Sequence, residues 1–388
     1  MIRVLFVDED PLILKGLQQW ARASQAEQWE VHVASPGANA LDELARHPID
    51  VIVTEVRAGR NDRAELVRQI HQRHPHAHCL VLGDGAGEHS GLRLTNPGNF
   101  PSLVPIVERS YGLARRLNDA KVRGAIASIG KLPVLPRLYL DLVRELENPQ
   151  SDSASVGRII EQDVAMTARI LQMANSAFFA PGRKLRFVRE AISFMGVLAV
   201  RSVVLTAQLF QSASEIKTPG FSLQALQAHS LLTAMIASRL VDDPEERQVA
   251  FAAGMLHDIG KMVMAAGMPA RYAQLQVRSL THRASELSSE HAVFGCTHAE
   301  IGACLLSSWG LPETLVEAVA FHHAPAELTP ARFGAVGAVH VANALAHEGE
   351  FAMPPDVEQE SLLDSTYLRK VGVDENIASW QAKLALAS

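Results

Sequence analysis

The sequence predicts a multidomain chain, an N-terminal α/β doubly wound part followed by an all-α part. Three observations carry this. Short apolar runs alternate with helical patterns as far as residue 82, and from 137 onward the periodicity is almost entirely helical. Between them, in Leu132-Pro133-Val134-Leu135-Pro136, two prolines break helix and fix an extended segment. At 388 residues the chain is also long enough for two or three domains.

In order, Ile2 to Val7 is an apolar run that ends in Asp8-Glu9-Asp10, and Asp50 to Val53 repeats the pattern ahead of Glu55. Both read as buried parallel strands, and Cys79 to Leu82 reads as another. Helical patterns cover Leu12 to Ala23, Ala38 to Arg46 and Arg63 to Arg73. In a doubly wound sheet ligands bind at the carboxyl ends of the strands, the edge where Asp8, Glu9 and Glu55 fall. Pro105 to Ile129 reads as one long helix joining the two parts, with an apolar stripe that could also pair two copies of the chain. The expected boundaries are 1–120 for the first domain, 105–129 for the joining helix and 130–388 for the second domain, itself divided into 130–215 and 216–388. In the second domain, Asp152 or Ser153 is a natural helix cap, and Asn175 falls at a helix end where Asn tolerates a left-handed backbone.

Composition narrows the function classes. Hydrophobic residues make up 48%, charged residues 20% and aromatics 5%, an ordinary globular balance. A formal charge of −6 argues against a chain-wide basic face, so direct binding to nucleic acid or to an anionic membrane is not expected. The N-terminus turns acidic too early for a signal peptide, and no uninterrupted apolar run reaches spanning length, which points to a cytoplasmic protein. Cys79, Cys296 and Cys304 show no Cys-x-x-Cys spacing, which fits a reducing compartment and disfavours a thiolate zinc site.

The stretch most charged with chemistry is Gly254-Met255-Leu256-His257-Asp258-Ile259-Gly260-Lys261, where ionisable groups sit in an apolar run. Burying them demands either a hydrogen-bond network or a metal ion, and a metal needs further ligands from elsewhere in the chain.

Two resemblances sharpen these readings. The acidic cluster Asp8-Glu9 after the first strand, with Glu55 after the next, resembles the receiver domain of response regulators, which implies a flavodoxin-like fold. By that resemblance Glu55 holds the phospho-acceptor slot, Gly83 the Thr/Ser switch position and Asn96 the place of the lysine. Acceptor, hydroxyl and neutralising lysine are therefore all replaced. The resemblance implies a pseudo-receiver that is not phosphorylated and holds Mg²⁺ weakly or not at all. Further along, Leu132 to Pro136, Ile159 to Asp163, Ile170 to Phe179 and Ala191 to Gly196 look like successive blocks of the HDOD domain, a helical relative of the HD phosphohydrolases.

HD enzymes bind one or two divalent metals through histidines, the His-Asp doublet and a last aspartate. The resemblance implies a ligand set of His229, His257, Asp258, His298, His322 and His323, with Asn343 where the family's final aspartate belongs. Imidazole-rich ligation fits Fe, Mn or Zn, and Lys261 is the candidate to meet a substrate phosphate as a catalytic group. An amide at position 343 removes a negative charge from the site. The segment Ala324-Pro325-Ala326-Glu327 also lacks the Gly-Tyr-Pro signature of relatives that hydrolyse cyclic di-guanylate. The expectation is a signal-transduction protein, an unphosphorylatable receiver coupled to an HDOD output module that works through signalling-protein partners or a small ligand, with a homodimer and a nucleotide ligand as further candidates. Its rival is a metal-dependent phosphohydrolase or phosphodiesterase acting on a nucleotide.

Overall fold

The computed structural model describes residues 1–23, 29–56, 69–70, 78–83, 100–129, 132–146, 148, 150–176, 179, 182–282, 285–329, 331–350 and 362–385. The chain divides into two compact units, and the break falls between Asp119 and Ala120.

The first unit is built on four parallel strands, β1 (Ile2–Val7), β2 (Trp29–Ala34), β3 (Val51–Val56) and β4 (His78–Gly83), in the order β2-β1-β3-β4. Helices α1 (Pro11–Ala23), α2 (Ala38–Arg46) and α3 (Phe100–Leu117) accompany them. Because successive side chains of a strand point to opposite faces, the sheet has two cores. Val4, Phe6, Val51, Val53 and Leu80 pack with Leu14 and Leu17 of α1 and Phe100, Leu103 and Val107 of α3. Leu5, Val7 and Ile52 pack with Ala40 and Leu44 of α2. Burial on both faces is what makes these runs continuously apolar.

Two elements differ from the sequence reading. Strand β2 lies between the two helices where no strand is expected, because Trp29-Glu30-Val31-His32-Val33-Ala34 is an edge strand of this sheet with polar groups on one face. The single helix expected over 105–129 is two, α3 and α4 (Ala120–Ile129), parted at Asn118-Asp119. The helix expected from Arg63 to Arg73 lies outside the described residues except at 69–70, and Asn96 lies outside them altogether.

In the second unit all described elements are helical: α4, α5 (Arg137–Leu146), α6 (Ser153–Ile160), α7 (Val164–Ala174), α8 (Val188–Met195), α9 (Val197–Ser212), α10 (Leu223–Ala237), α11 (Pro244–Leu256), α12 (Ile259–Gly267), α13 (Pro269–His282), α14 (Glu286–Phe294), α15 (His298–Ser308), α16 (Glu313–Phe321), α17 (Ala335–Glu350), α18 (Ser365–Lys370) and α19 (Ile377–Ala385), with short 3-10 turns. Asp152 caps α6, accepting from Ser155 N at 2.7 Å while Ser155 Oγ accepts from Asp152 N. Asn175 ends α7 with φ −93°, not in the left-handed region. Its amide does the capping, donating to Leu171 O and Leu185 O and accepting from Leu185 N.

Helix α11 is the centre of the unit, packing on α9, α10, α16 and α17. Every residue from Ala250 to Leu256 is buried. The segment Pro244–Gly267 is apolar and long enough to cross a membrane by composition, but its most apolar stretch is mostly buried within the protein, as a core helix pair is. Two of its glycines set the packing distances. A Cβ on Gly254 would stand 2.5 Å from Ala234 Cα of α10, and one on Gly260 would collide with the carbonyl of His298 on α15. Only glycine lets these backbones approach so closely.

Candidate functional site

The pocket is assembled from helix ends. His257 closes α11, Asp258 opens α12, His298 is the first residue of α15, and His322 closes α16 with His323 after it. Gly254 and Gly260 therefore bring the His-Asp doublet against the helices that carry His229 and His298. Asp258 occupies an N-cap position, where aspartate ordinarily bonds the first turn, yet its carboxylate makes no capping hydrogen bond. It meets the pocket instead: Oδ2 lies 3.0 Å from Lys261 Nζ, 3.5 Å from His257 Nε2 and 3.8 Å from His229 Nε2, and Oδ1 lies 3.0 Å from His298 Nε2.

The imidazoles are held by their far nitrogens. His257 Nδ1 donates to Gly254 O at 2.8 Å and His322 Nδ1 to Val319 O at 2.7 Å, which leaves the Nε2 lone pair of each ring for the pocket. His298 Nδ1 donates to Glu290, 2.8 and 2.9 Å from its two oxygens, and His298 N donates to the same carboxylate. Its Nε2 stands 3.4 Å from His322 Nε2 and 3.2 Å from His323 Nε2. Donor atoms thus cluster as two threesomes, His298-His322-His323 and His229-His257-Asp258, each within 4.8 Å.

Electrostatics follow burial. His257, His298 and His322 are 0% exposed and Asp258 2%. Burial lowers the pKa of His257, His322 and His323, so these rings are neutral, the form that ligates a metal. Burial alone would raise the Asp258 carboxyl, but the facing His257, Lys261 and His298 hold it well below the usual carboxylate range. Against the same burial, Glu290 and Asp258 push His298 up to about 10. A carboxylate on Nδ1 is the arrangement that orients and strengthens a histidine ligand.

Asn343 sits where the resemblance puts the family's last aspartate, buried on α17, and its Oδ1 lies 2.9 Å from His229 Nε2. An amide oxygen only accepts, so this contact requires the proton on His229 Nε2. Lys261 Nζ is shared between Asp258 and Glu286, at 3.0 Å from each. Besides Glu286, three neighbours were not anticipated from sequence. Glu290 supports His298, and His340 donates through Nδ1 to His322 O at 2.7 Å while its Nε2 accepts from Asp364 N. His347 lies ring to ring with His229 at 4.4 Å, and burial beside that ring lowers its pKa to about 4. Its spacing of four from Asn343, one helical turn, was the available signal.

In the first unit Asp8 is buried at the end of β1, with Oδ1 accepting from Asp10 N at 2.8 Å, and Glu9 is exposed. Glu55 and Gly83 lie on the neighbouring strands β3 and β4, where Glu55 is paired with Leu82 and Val56 with Gly83.

Known proteins resemble the chain along the same division. The response regulator receiver domain matches residues 4–98 and the HDOD domain residues 132–325. The chain belongs to the HDOD family, with a receiver domain in front. Among solved structures it is similar to an HDOD domain protein of unknown function from Geobacter sulfurreducens, at 22% identity and TM-score 0.54, over 70% of this chain and 95% of that one. A second, from Shewanella amazonensis SB2B and provisionally named a phosphohydrolase, matches at 24% identity and TM-score 0.53, over 69% and 94%. These likenesses establish the fold. An uncharacterized protein of Treponema pallidum (strain Nichols) is 25% identical over 248 residues, 61% of this chain and 45% of that protein, so the chain spans less than half of its relative's length. A receiver followed by an HDOD domain fits a signal transduction protein.

Proposed function

We propose that this chain is a signalling protein whose receiver takes no phosphoryl group and whose HDOD module works by binding. In this reading residues 1–120 are the pseudo-receiver, 105–129 join it to the rest, and 130–388 are the output module, with 130–215 and 216–388 as its parts. The histidine pocket holds a divalent transition metal of the Fe, Mn or Zn class, through His257, Asp258, His298, His322 and His323. The donor set fits such an ion: the Nε2 atom of His257 is fully buried without a hydrogen bond, and its Nδ1 is already committed to a carbonyl. The ion gives the module a fixed charged centre for a small ligand or a signalling partner.

One observation carries the choice of binding over turnover: Asn343 engages His229 Nε2 with an amide where an HD enzyme offers a carboxylate. That leaves His229 outside the ligand set and the ion with one negative charge fewer. Lys261, paired with two carboxylates, is not free to take up a phosphate. Elemental analysis of purified protein, with a nucleotide turnover screen in added Mn²⁺ or Fe²⁺, tests the reading. Bound metal without turnover is the expected outcome, and hydrolysis of any nucleotide overturns it. Acetyl phosphate tests the receiver, where labelling of the wild-type chain would sink the pseudo-receiver.

The rival reading, a metal-dependent phosphohydrolase, draws on the same buried His257 Nε2. It requires Lys261 to leave Glu286 and Asp258 when substrate enters.

A further inference from the structure

A second cluster of ligating side chains lies in the first unit, away from the strand ends that carry Asp8 and Glu55. On edge strand β2, Glu30 and His32 are two residues apart and so share one face of the sheet, the face on which α2 packs through Ala40 and Leu44. Glu43 stands on the last turn of α2, and His47 follows the helix, fixed by a hydrogen bond from its N to Glu43 O at 2.9 Å. Donor atoms of His32, Glu43 and His47 lie within 4.8 Å of one another.

The separations are informative. Glu43 Oε2 is 3.6 Å from His32 Nδ1 and 3.7 Å from His47 Nε2. These are too long for hydrogen bonds. They are close to the separation of about 3.4 Å between two ligands of one tetrahedral ion with bonds of about 2.0–2.1 Å. The ring is oriented as well. His32 Nε2 donates to Glu30 Oε1 at 3.2 Å, which leaves Nδ1 as the ring nitrogen that faces Glu43, a carboxylate-oriented histidine. The two rings lie 4.4 Å apart, close enough for both to face one ion. Arg46 approaches the other oxygen, Glu43 Oε1, at 3.9 Å and leaves Oε2 to the imidazoles.

From this geometry we infer that His32 Nδ1, Glu43 Oε2 and His47 Nε2 form a binding site for a divalent transition metal of the zinc class on the receiver, separate from the histidine pocket of the HDOD module. The side chains are 13%, 24% and 42% exposed, so an ion reaches them from solvent and keeps a coordination position for water or an outside ligand. Bound there, the ion ties edge strand β2 to the end of α2.

Zn²⁺ titration of the EDTA-stripped full chain against a chromophoric chelator tests this. The wild type takes up one equivalent more than the His32→Gln/His47→Gln double variant, and Glu43→Gln weakens that equivalent at least tenfold. The His257→Gln/His322→Gln variant retains it, which separates this site from the HDOD pocket whether or not that pocket holds metal. Co²⁺ bound in place of Zn²⁺ gives visible absorption that His47→Gln diminishes. Equal Zn²⁺ uptake by the wild type and the His32→Gln/His47→Gln variant, with coincident melting of the metal-free proteins, overturns the inference.

Discussion

Ionisable residues gather in two different settings, at the ends of parallel strands in the first unit and at the ends of helices in the second. By the receiver resemblance each role at the strand ends falls to one residue, and Glu55, Gly83 and Asn96 stand at the positions of acceptor, hydroxyl and cation. In the helix-end cluster the proposed metal site pools five groups, His257, Asp258, His298, His322 and His323, and Asn343 stands where the resemblance puts a carboxylate. A site that depends on single residues is lost through single changes, whereas a pooled ligand set tolerates one.

The comparison breaks most readily at Asp258. Asp258→Ala removes the buried carboxylate that both Lys261 and His298 address, and we expect a loss of about 3–5 kcal/mol in chemical denaturation. Gly260→Ala tests whether close backbone approach builds the helix-end pocket. Its Cβ meets the His298 carbonyl, so stability falls by about 1–3 kcal/mol and metal content falls with it.

Asn343→Asp sharpens the comparison by restoring the missing charge. Metal affinity should tighten about tenfold, or about 1.4 kcal/mol, read by competition with a chelator. Unchanged affinity would mean that position 343 is not what separates this pocket from an HD enzyme.

A smaller effect is expected outside both clusters, at Glu190. Hydrogen bonds from Arg186 N, Arg183 and Phe187 N lower its pKa from 4.5 to about 2. A depressed carboxyl contributes stability above its unfolded pKa and loses it as pH falls through the folded one. The melting temperature of the wild type should exceed that of Glu190→Gln at pH 6, and the difference should fade between about pH 4.5 and 2. The smallest effect is expected at the strand ends of the first unit, where Glu55→Asp alone should take no label from acetyl phosphate, since Gly83 and Asn96 remain.

Much of the architecture was legible in the chain because burial imposes a period. The runs at Ile2–Val7 and Val51–Val56 are apolar because both faces of a parallel sheet are covered, and the helices beyond 137 show their 3.6 repeat. Strand β2 escaped because, at the sheet edge, Glu30 and His32 interrupt its apolar character. The break at Asn118-Asp119 escaped because helical periodicity continues on either side of it.

The members of the helix-end cluster, His229, His257, Asp258, His298, His322 and His323, could be picked out in the sequence through a resemblance, since residue type and order survive in one dimension. Their supports could not. Glu290 reaches His298 across the turn between α14 and α15, His340 braces the His322 carbonyl from another helix, and Lys261 is claimed by Glu286 from 25 residues away. His32, Glu43 and His47 likewise become neighbours only when α2 folds back on β2. Sequence by itself determined which groups are chemically able to bind, because that depends on side-chain type. Which nitrogen faces the pocket, and which charge is already satisfied, was decided by tertiary packing, because hydrogen bonds and burial act over a few ångströms whatever the distance along the chain.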